Sequence, residues 1–281
     1  MGPQQVRRAA VAWLAEHAPA VIVEVGATQG SVPRATGTRM LVSAAAIRGT
    51  VGGGHLELKA IARARDMLRA GEVERQREHF ALGPALGQCC GGTVTLGFTP
   101  LDAAALATWP DEAARFDLQL YGAGHVGRAI VRALAPINAN VMWIDSRPDE
   151  FDVDSKRSGD DAPAHIRRIV VEADEPIAAE VAAAPPGCFF LVLTHRHDLD
   201  LAITQAILRR GDFGFLGLIG SRTKRQRFAH QLERRGIACE LIERITCPIG
   251  IPGIDGKEPE VIAAAVVAQL LLVASAPARH G

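Results

Sequence analysis

The sequence has no excess of charge of either sign, because 31 Lys and Arg residues balance 31 Asp and Glu residues. It also lacks basic runs, aromatic-interleaved basic stripes and zinc-finger spacing, so nothing in it calls for nucleic acid as a partner. With 281 residues, of which 48% are hydrophobic, the chain has a globular composition and is long enough for two domains.

Long hydrophobic runs are lacking as well. Residues 1–20 have the pattern of an amphipathic helix rather than that of a signal peptide. The longest apolar stretch, residues 261–276, is Ala-rich and interrupted by Gln269, which favours a buried helix over a membrane span. The cysteine count is odd, and Cys89 is adjacent to Cys90, which is a poor basis for a disulfide framework. We therefore expect a cytoplasmic protein with reduced thiols and no membrane association.

The sequence pattern changes near Phe116, which predicts two domains. Residues 1–100 mix helices with short strands and predict a smaller α+β domain, and residues 101–115 show no clear strand and predict a linker. From Phe116 onward, strands alternate with helices, as is typical of a parallel sheet covered by helices. The predicted fold class is therefore α/β, with a Rossmann-like domain over residues 116–281.

A glycine loop follows the first strand of the second domain. Gly122, Gly124 and Gly127 form the pattern G-x-G-x-x-G between a predicted strand and a predicted helix. In such loops the first glycine makes a tight turn, the second lets a pyrophosphate approach the backbone, and the third allows close helix packing. Asp145 ends the next strand, at about the distance expected of a ribose-binding acid. A Rossmann scaffold whose dinucleotide site is idle or repurposed, and Asp145 as a helix cap, are the alternatives.

Three further loops follow strands at the same sheet edge, where open α/β sheets bind ligands. His195 follows one strand, Ser221 and Arg222 follow the next and suit an anion, and residues 247–257 form the third loop. In an extended segment His195 and His197 would point the same way and could share a metal, although a zinc site needs about four ligands. Ordinary turn and surface roles are the alternatives at these positions.

Two glycine-rich turns of the first domain also combine backbone N–H groups with a cationic or titratable side chain. One contains Gln29 and Arg34, and the other contains Gly53, Gly54 and His55. Taken alone, each segment could equally be a tight turn without a role in binding.

A third turn carries the thiol pair, Cys89 and Cys90, followed by two glycines. Thiolate is the reactive form of cysteine and a soft metal ligand. Isolated cysteines are more often buried small apolar residues, but a glycine-flanked turn buries cysteine poorly. We therefore predict a functional role for the pair, with a structural role as the alternative.

Together these segments resemble the XdhC family, the accessory proteins of xanthine dehydrogenase maturation. The resemblance runs in the same order along nearly the whole chain, and the linker is its least similar part. The segments that carry it are GATQGSVPRATGTRM, GTVGGGHLE, LGQCCGG, LYGAGHVGRAI, DSRPDEF, LTHRHDLD, GLIGSRTKR and CPIGIPGIDGKEPEVIAAAVVAQ.

The resemblance implies a maturation chaperone that is neither an enzyme nor a subunit of the finished dehydrogenase. Proteins of this family bind molybdenum cofactor (molybdopterin) and hold it while an L-cysteine desulfurase supplies the terminal sulfido ligand. They then deliver it to the molybdenum-binding subunit of apo-xanthine dehydrogenase. The resemblance also implies that Cys89 and Cys90 handle the cofactor, with a transient contact to molybdenum. Whether the protein forms a homodimer stays open.

We expect the cofactor in a cleft between the two domains, with Cys89, Cys90 and His55 facing the loops after Leu193 and Ile219. The expected cofactor-binding residues are Gln29, Arg34, Gly53, Gly54, His55, Cys89, Cys90, Gly122, Gly124, Gly127, Asp145, His195, Ser221 and Arg222.

Other functions fit parts of the sequence. An NAD(P)-dependent oxidoreductase would use the glycine loop and Asp145, and a metal-binding scaffold would use His195, His197 and the cysteine pair. Cytidylyl transfer to molybdopterin would need a nucleotide-triphosphate loop near the amino terminus, which residues 26–34 resemble only superficially.

Overall fold

The structure is a computed structural model that describes residues 2–72, 74–82, 92–110, 113–152, 163, 165–171 and 178–276. Cys89 and Cys90 lie outside the described residues. The chain divides into two compact units, Met1–Glu112 and Ala113–Gly281, and the segment 101–115 lies across this division.

The first unit is built around an antiparallel sheet with the strand order β3-β2-β1-β5-β4. Short helix α3 falls within the segment for which the sequence predicts a linker. Within the described residues, this unit contains α1 (Pro3–Ala15), β1 (Ala20–Gln29), β2 (Arg39–Ser43), β3 (Ile47–Gly49), α2 (Gly54–Ala70), β4 (Gln76–Ala81), β5 (Thr93–Pro100) and α3 (Ala103–Ala107).

Helices cover the two faces of this sheet differently. Helix α2 packs on one face, where Leu56 and Met67 join a core with alternate residues of β1 and β5. Helices α1 and α3 pack on the opposite face, where Val6 and Ala105 share a core with Ile22. Because successive side chains of a strand point to opposite faces, β1 and β2 contribute to both layers.

The second unit is a six-stranded parallel sheet with the order β11-β10-β9-β6-β7-β8. Read from the other edge, the strands follow the order 3-2-1-4-5-6 of a Rossmann fold, which confirms the predicted fold class. Within the described residues, this unit contains β6 (Asp117–Tyr121), α4 (His125–Leu134), β7 (Asn140–Asp145), α5 (Asp149–Asp152), β8 (Ile166–Val170), α6 (Ala178–Ala183), β9 (Phe189–Val192), α7 (His197–Arg210), β10 (Phe215–Leu218), α8 (Arg222–Arg234), α9 (Cys239–Glu243), β11 (Ile245–Thr246) and α10 (Pro259–Ser275).

Helices pack on both faces of the parallel sheet. Helices α4 and α10 share one core with alternate strand residues, and Val266 and Leu270 of α10 are fully buried in it. Helices α7 and α8 share the core on the other face, with Ile203, Ile207 and Phe228 buried there. Among the described residues, no helix combines the length and the apolar character that crossing a bilayer requires.

The strand order reverses between β6 and β9, whose carboxyl ends lead into Gly122 and Leu193. The two ends are held together, because the backbone N–H of Leu193 donates to the carbonyl oxygen of Tyr121 at 2.9 Å. This reversal is the point at which open α/β sheets bind ligands. The glycine loop therefore lies at the position where a ligand is expected.

Replacing Gly127 tests how closely α4 packs on the glycine loop. A Cβ atom at Gly127 would lie 2.1 Å from the carbonyl oxygen of Gly122, and a backbone atom cannot yield as a flexible side chain does. We expect Gly127→Ala to lower the free energy of unfolding by about 1–3 kcal/mol in urea denaturation.

Gly124→Ala is the matched control for that substitution. A Cβ atom at Gly124 would meet no atom of the described residues within 4 Å, and the backbone φ of −66° suits any residue. We expect a smaller loss of stability, about 0.5–1 kcal/mol, because Gly124 is the N-cap residue of α4, where alanine is less favourable than glycine. Equal stability of the two variants would contradict the close packing of α4 on the loop.

Candidate functional site

The three glycines of the loop differ in what surrounds them. Gly122 has a φ of +123°, and a Cβ atom there would lie 2.4 Å from the carbonyl oxygen of Leu193. Gly122 and Gly127 are therefore required by packing, whereas Gly124 is open. Helix α4 begins directly after Gly124, so its first-turn N–H groups and the positive end of its dipole are directed to the open space. This arrangement suits a phosphate group.

Asp145 lies beside the loop, but its carboxylate is engaged by the protein. Its Oδ2 accepts a hydrogen bond from the backbone N–H of Ala123 at 2.6 Å. The Arg147 guanidinium donates to both carboxylate oxygens, at 3.0 and 2.9 Å, and the Arg147 backbone N–H donates to Oδ1 at 3.0 Å. Asp145 is only 7% exposed. A ribose diol would therefore have to displace Arg147 to reach this acid.

The same network fixes the backbone of Ala123 at both its N–H group and its carbonyl oxygen. Arg147 also donates to Glu150 Oε1 at 3.0 Å, and Arg128 donates to Glu150 Oε2 at 2.6 Å. Arg128 donates in addition to the carbonyl oxygen of Ala123 at 2.8 Å. The four side-chain charges of the network cancel. The loop is thus held in one conformation without a net charge that would repel or attract an anion.

A buried ion pair joins the loops that follow β9 and β10. Both the backbone N–H and the hydroxyl of Thr194 donate to Asp200 Oδ1, at 3.0 and 2.7 Å. Lys224 Nζ donates to Asp200 Oδ2 at 2.6 Å and to the carbonyl oxygen of Ile219 at 2.9 Å. Asp200 is fully buried. Sequence reasoning missed this pair, although an acid within the apolar run of α7 is a signal for a buried partner.

The other predicted residues of this edge lie at the surface. His195 and His197 are exposed, and His197 begins α7, so the segment between them does not continue as a strand. Ser221 precedes α8 and its hydroxyl oxygen accepts the backbone N–H of Lys224 at 3.2 Å, while Arg222 is exposed. In the part of the chain that the structure describes, no three His, Cys, Asp or Glu side chains are grouped to hold a metal.

A thiol at this edge, Cys247, was not among the predicted site residues. It follows β11 directly and is buried, and its Sγ lies 3.6 Å from the carbonyl oxygen of Gly220 and 3.7 Å from that of Ser221. Burial raises the pKa of Cys247 despite the nearby cations, so this residue is a neutral thiol. The sequence feature that could have identified Cys247 was its position directly after a short strand.

The glycine turns of the first unit meet around the end of β1. A Cβ atom at Gly52 would lie 2.5 Å from Pro33 Cγ. A Cβ atom at Gly92 would lie 2.5 Å from the carbonyl oxygens of both Gln29 and Ser31. The structure therefore brings together the turn that contains Gln29 and the turn that contains Gly53, both of which the sequence analysis identified. Gly92, the first described residue after residues 83–91, lies beside them.

Glu57, in the first turn of α2, organises the turn that precedes this helix. Its Oε2 accepts the backbone N–H groups of Val51 and Gly53, each at 3.2 Å, so the N–H group of Gly53 is engaged within the protein. The remaining predicted residues of this region are exposed: Gln29, Arg34, Gly54 and His55.

The ion pair of Asp145 predicts a pH-dependent contribution to stability. Burial by itself would raise the pKa of Asp145, but hydrogen bonds from the Arg147 side chain and from the Ala123 and Arg147 backbones outweigh burial and lower this pKa below 3.8. A lowered pKa in the folded state means that the ionised form stabilises the fold. This stabilisation is complete above the unfolded-state pKa and is lost as the pH falls through the folded-state pKa.

We expect the difference in unfolding free energy between wild type and Asp145→Asn to be constant above about pH 5 and to shrink at lower pH. Urea denaturation from neutral to acid pH measures it. Asp255→Asn, at an exposed aspartate, is the control and should show little difference throughout. A difference for Asp145→Asn that does not change with pH would contradict the ion pair.

Comparisons with known proteins agree with this architecture. The profile described as the XdhC Rossmann domain matches residues 118–270, and the profile described as the XdhC and CoxI family matches residues 13–80. A crystal structure described as a xanthine dehydrogenase from Bacillus halodurans has the same fold, with a TM-score of 0.71, 19% identity and coverage of 99% of this chain and 98% of that one.

A curated relative from Escherichia coli K12, named Uncharacterized protein YqeB, is 28% identical over 263 residues. The match covers 92% of this chain but only 44% of YqeB, so the chain spans less than half of that relative's length. The Rossmann-domain profile alone covers more than half of this chain. This chain therefore belongs to the XdhC family.

Proposed function

We propose that this protein is a non-catalytic accessory protein of xanthine dehydrogenase maturation. It binds molybdenum cofactor, supports its sulfuration by a cysteine desulfurase, and delivers it to the molybdenum-binding subunit of the apo-enzyme in the cytoplasm. Membership of the XdhC family supports an accessory role. The observation that carries the choice of ligand is the state of Asp145, whose carboxylate is engaged by Arg147 beside an open phosphate loop.

The chemistry of the cofactor suits this loop better than the chemistry of a nicotinamide dinucleotide does. A dinucleotide uses the acid at the end of the second strand to bind a ribose. Molybdopterin carries a phosphate and no such ribose, so it needs the open helix terminus but not the acid. Gly124 provides the open approach, and Asp145 is occupied. A monophosphate ligand therefore fits the described residues better.

In this proposal the chain's own residues hold and orient the cofactor. Backbone N–H groups at the start of α4 bind the phosphate, and the conformation of the loop is fixed beforehand by Asp145 and Arg128. The bound cofactor supplies the molybdenum that receives the sulfido ligand. Ser221 and Arg222, at the start of α8, are further phosphate contacts at this sheet edge.

Release matters as much as capture in a delivery protein. Exposed contact residues and a loop that is held without net charge favour moderate affinity, so docking of the target enzyme can shift the cofactor away. Cys89 and Cys90 are proposed to contact the metal transiently, because thiolate is a soft ligand. The exposed residues Gln29, Arg34 and His55 are proposed to contact the polar pterin.

Gly124→Val tests the phosphate contact, because it fills the open approach without straining the backbone. The purified protein is incubated with a source of molybdenum cofactor, and bound molybdenum and oxidised-pterin fluorescence are measured. We expect Gly124→Val to retain about tenfold less cofactor than wild type, since a helix-terminus phosphate contact is lost.

Ala238→Val is the matched control, since it also places valine at an extended position just before a helix of the second unit. It should retain cofactor like wild type. Titration with NADH and NADPH is the competing measurement. Micromolar binding of either nucleotide together with no retention of pterin would overturn the proposal in favour of an oxidoreductase.

The cysteine pair is tested by the double substitution Cys89→Ala and Cys90→Ala. We expect reduced activation of apo-xanthine dehydrogenase in a reconstitution that contains cysteine desulfurase, because the thiols are proposed to contact the metal during sulfuration. Cys239→Ala, at an exposed thiol, is the control and should activate normally. Full cofactor retention and full activation by the double variant would end the proposed role of the pair.

A further inference from the structure

We propose that the sheet of the first unit carries a groove that binds a flat, anionic small molecule. The groove has a volume of about 410 Å³ and lies over strands β1, β5 and β4. Gly26 and Gly97 form part of its floor, and Arg75 and Arg77 line its β4 side. This inference concerns a site of the first unit and does not depend on the proposed phosphate contact at Gly124.

The groove lies on the face of the sheet opposite α2. Val94, Leu96 and Phe98 of β5 belong to the core beneath α2. The residues between them, including Thr95 and Gly97, therefore face the other way. Among the described residues, helices α1 and α3 pack on that face over β1, β2 and β3, and the groove opens beside them over β5 and β4.

The charges that line the groove are mainly positive. Glu24 is the acid on its wall within the described residues, and it accepts a hydrogen bond from Arg39 Nε at 2.9 Å. The Arg39 guanidinium also stacks over the Trp109 ring at 4.9 Å. Arg75 and Arg77 are exposed, and within the described residues neither side chain has an ion-pair or hydrogen-bond partner. Two cationic groups are thus left for an anion.

The shape and chemistry of the lining together define the ligand class. Glycines on neighbouring strands leave the backbone bare, so a flat ring system can lie directly on the sheet. The hydroxyls of Thr95 and Thr99 can hydrogen-bond its polar edge. Guanidinium groups bind phosphate and carboxylate with paired N–H donors. The volume lies within the range of about 300–1,000 Å³ that small-molecule sites occupy.

The test uses pterin-6-carboxylate as the probe, because it joins a flat polar ring to a carboxylate and its fluorescence reports binding. It is titrated into the full chain, with Gly124→Val as background so that the glycine loop of the second unit does not contribute. We expect binding, weakened about tenfold or more by Arg75→Ala with Arg77→Ala, since two charge-assisted contacts are lost. Arg69→Ala, an exposed arginine of α2 paired with Asp66, should bind like the background.

Gly97→Val tests the shape of the groove separately from its charge. The nearest atom to a Cβ at Gly97 is the Glu24 carbonyl oxygen at 3.9 Å, so valine fills the groove at an unstrained strand position. We expect binding to fall at least about tenfold while circular dichroism shows the native fold. If Gly97→Val does not fold, the double arginine variant decides the question, because it removes only exposed side chains.

Two results would overturn the inference. One is no measurable binding of the probe, or equal binding by the background, Gly97→Val and the double arginine variant. The other is unchanged probe binding in the groove variants together with lost activation of apo-xanthine dehydrogenase, which would assign this face to a protein partner. Inorganic phosphate, added as a competitor, tests how much of the binding comes from charge and how much from recognition of the ring. We expect phosphate to displace the probe from the background protein and to have no such effect on the groove variants.

Discussion

The candidate site depends on the backbone of Ala123, which is held on both sides of its Cα atom. Asp145 accepts its N–H group and Arg128 donates to its carbonyl oxygen. A Cβ atom at Gly122 or Gly127 would also clash with a backbone carbonyl oxygen, so no larger residue fits at either position. The loop therefore has a single backbone path into α4. Because Asp145 makes this contact with Ala123, its carboxylate is not available to bind a ligand. One set of contacts thus both shapes the phosphate loop and restricts which ligands can use it.

Much of the second unit could be predicted from its sequence, because each strand there is followed by its own helix and the signals are local. Asp145 ends β7, as the sequence predicted, and the glycine pattern located the switch point. Strand β8 was not recognised, since it is an edge strand with two exposed arginines and little apolar alternation. The order of strands in the first unit could not be predicted either, because it depends on pairing between distant segments such as β1 and β5.

The site shows the same division between local and distant signals. The sequence identified the three glycines and Asp145, but the partner of Asp145 follows from how the chain turns after β7, for which the spacing to Arg147 was the only hint. The contact between Asp200 and Lys224 joins residues of two helices, so the local pattern around Asp200 could not identify its partner. The groove of the first unit likewise requires residues from three strands to lie side by side.

The pairing of Asp200 with Lys224 has a consequence for how sequences of this family can diverge. Loss of either partner leaves an uncompensated charge in the interior, whereas replacing both by apolar residues of similar size is far less harmful. The two positions are therefore expected to covary among relatives. The pair also holds Thr194 and Ile219 in place. A substitution at either Asp200 or Lys224 would therefore shift both loops together rather than one alone.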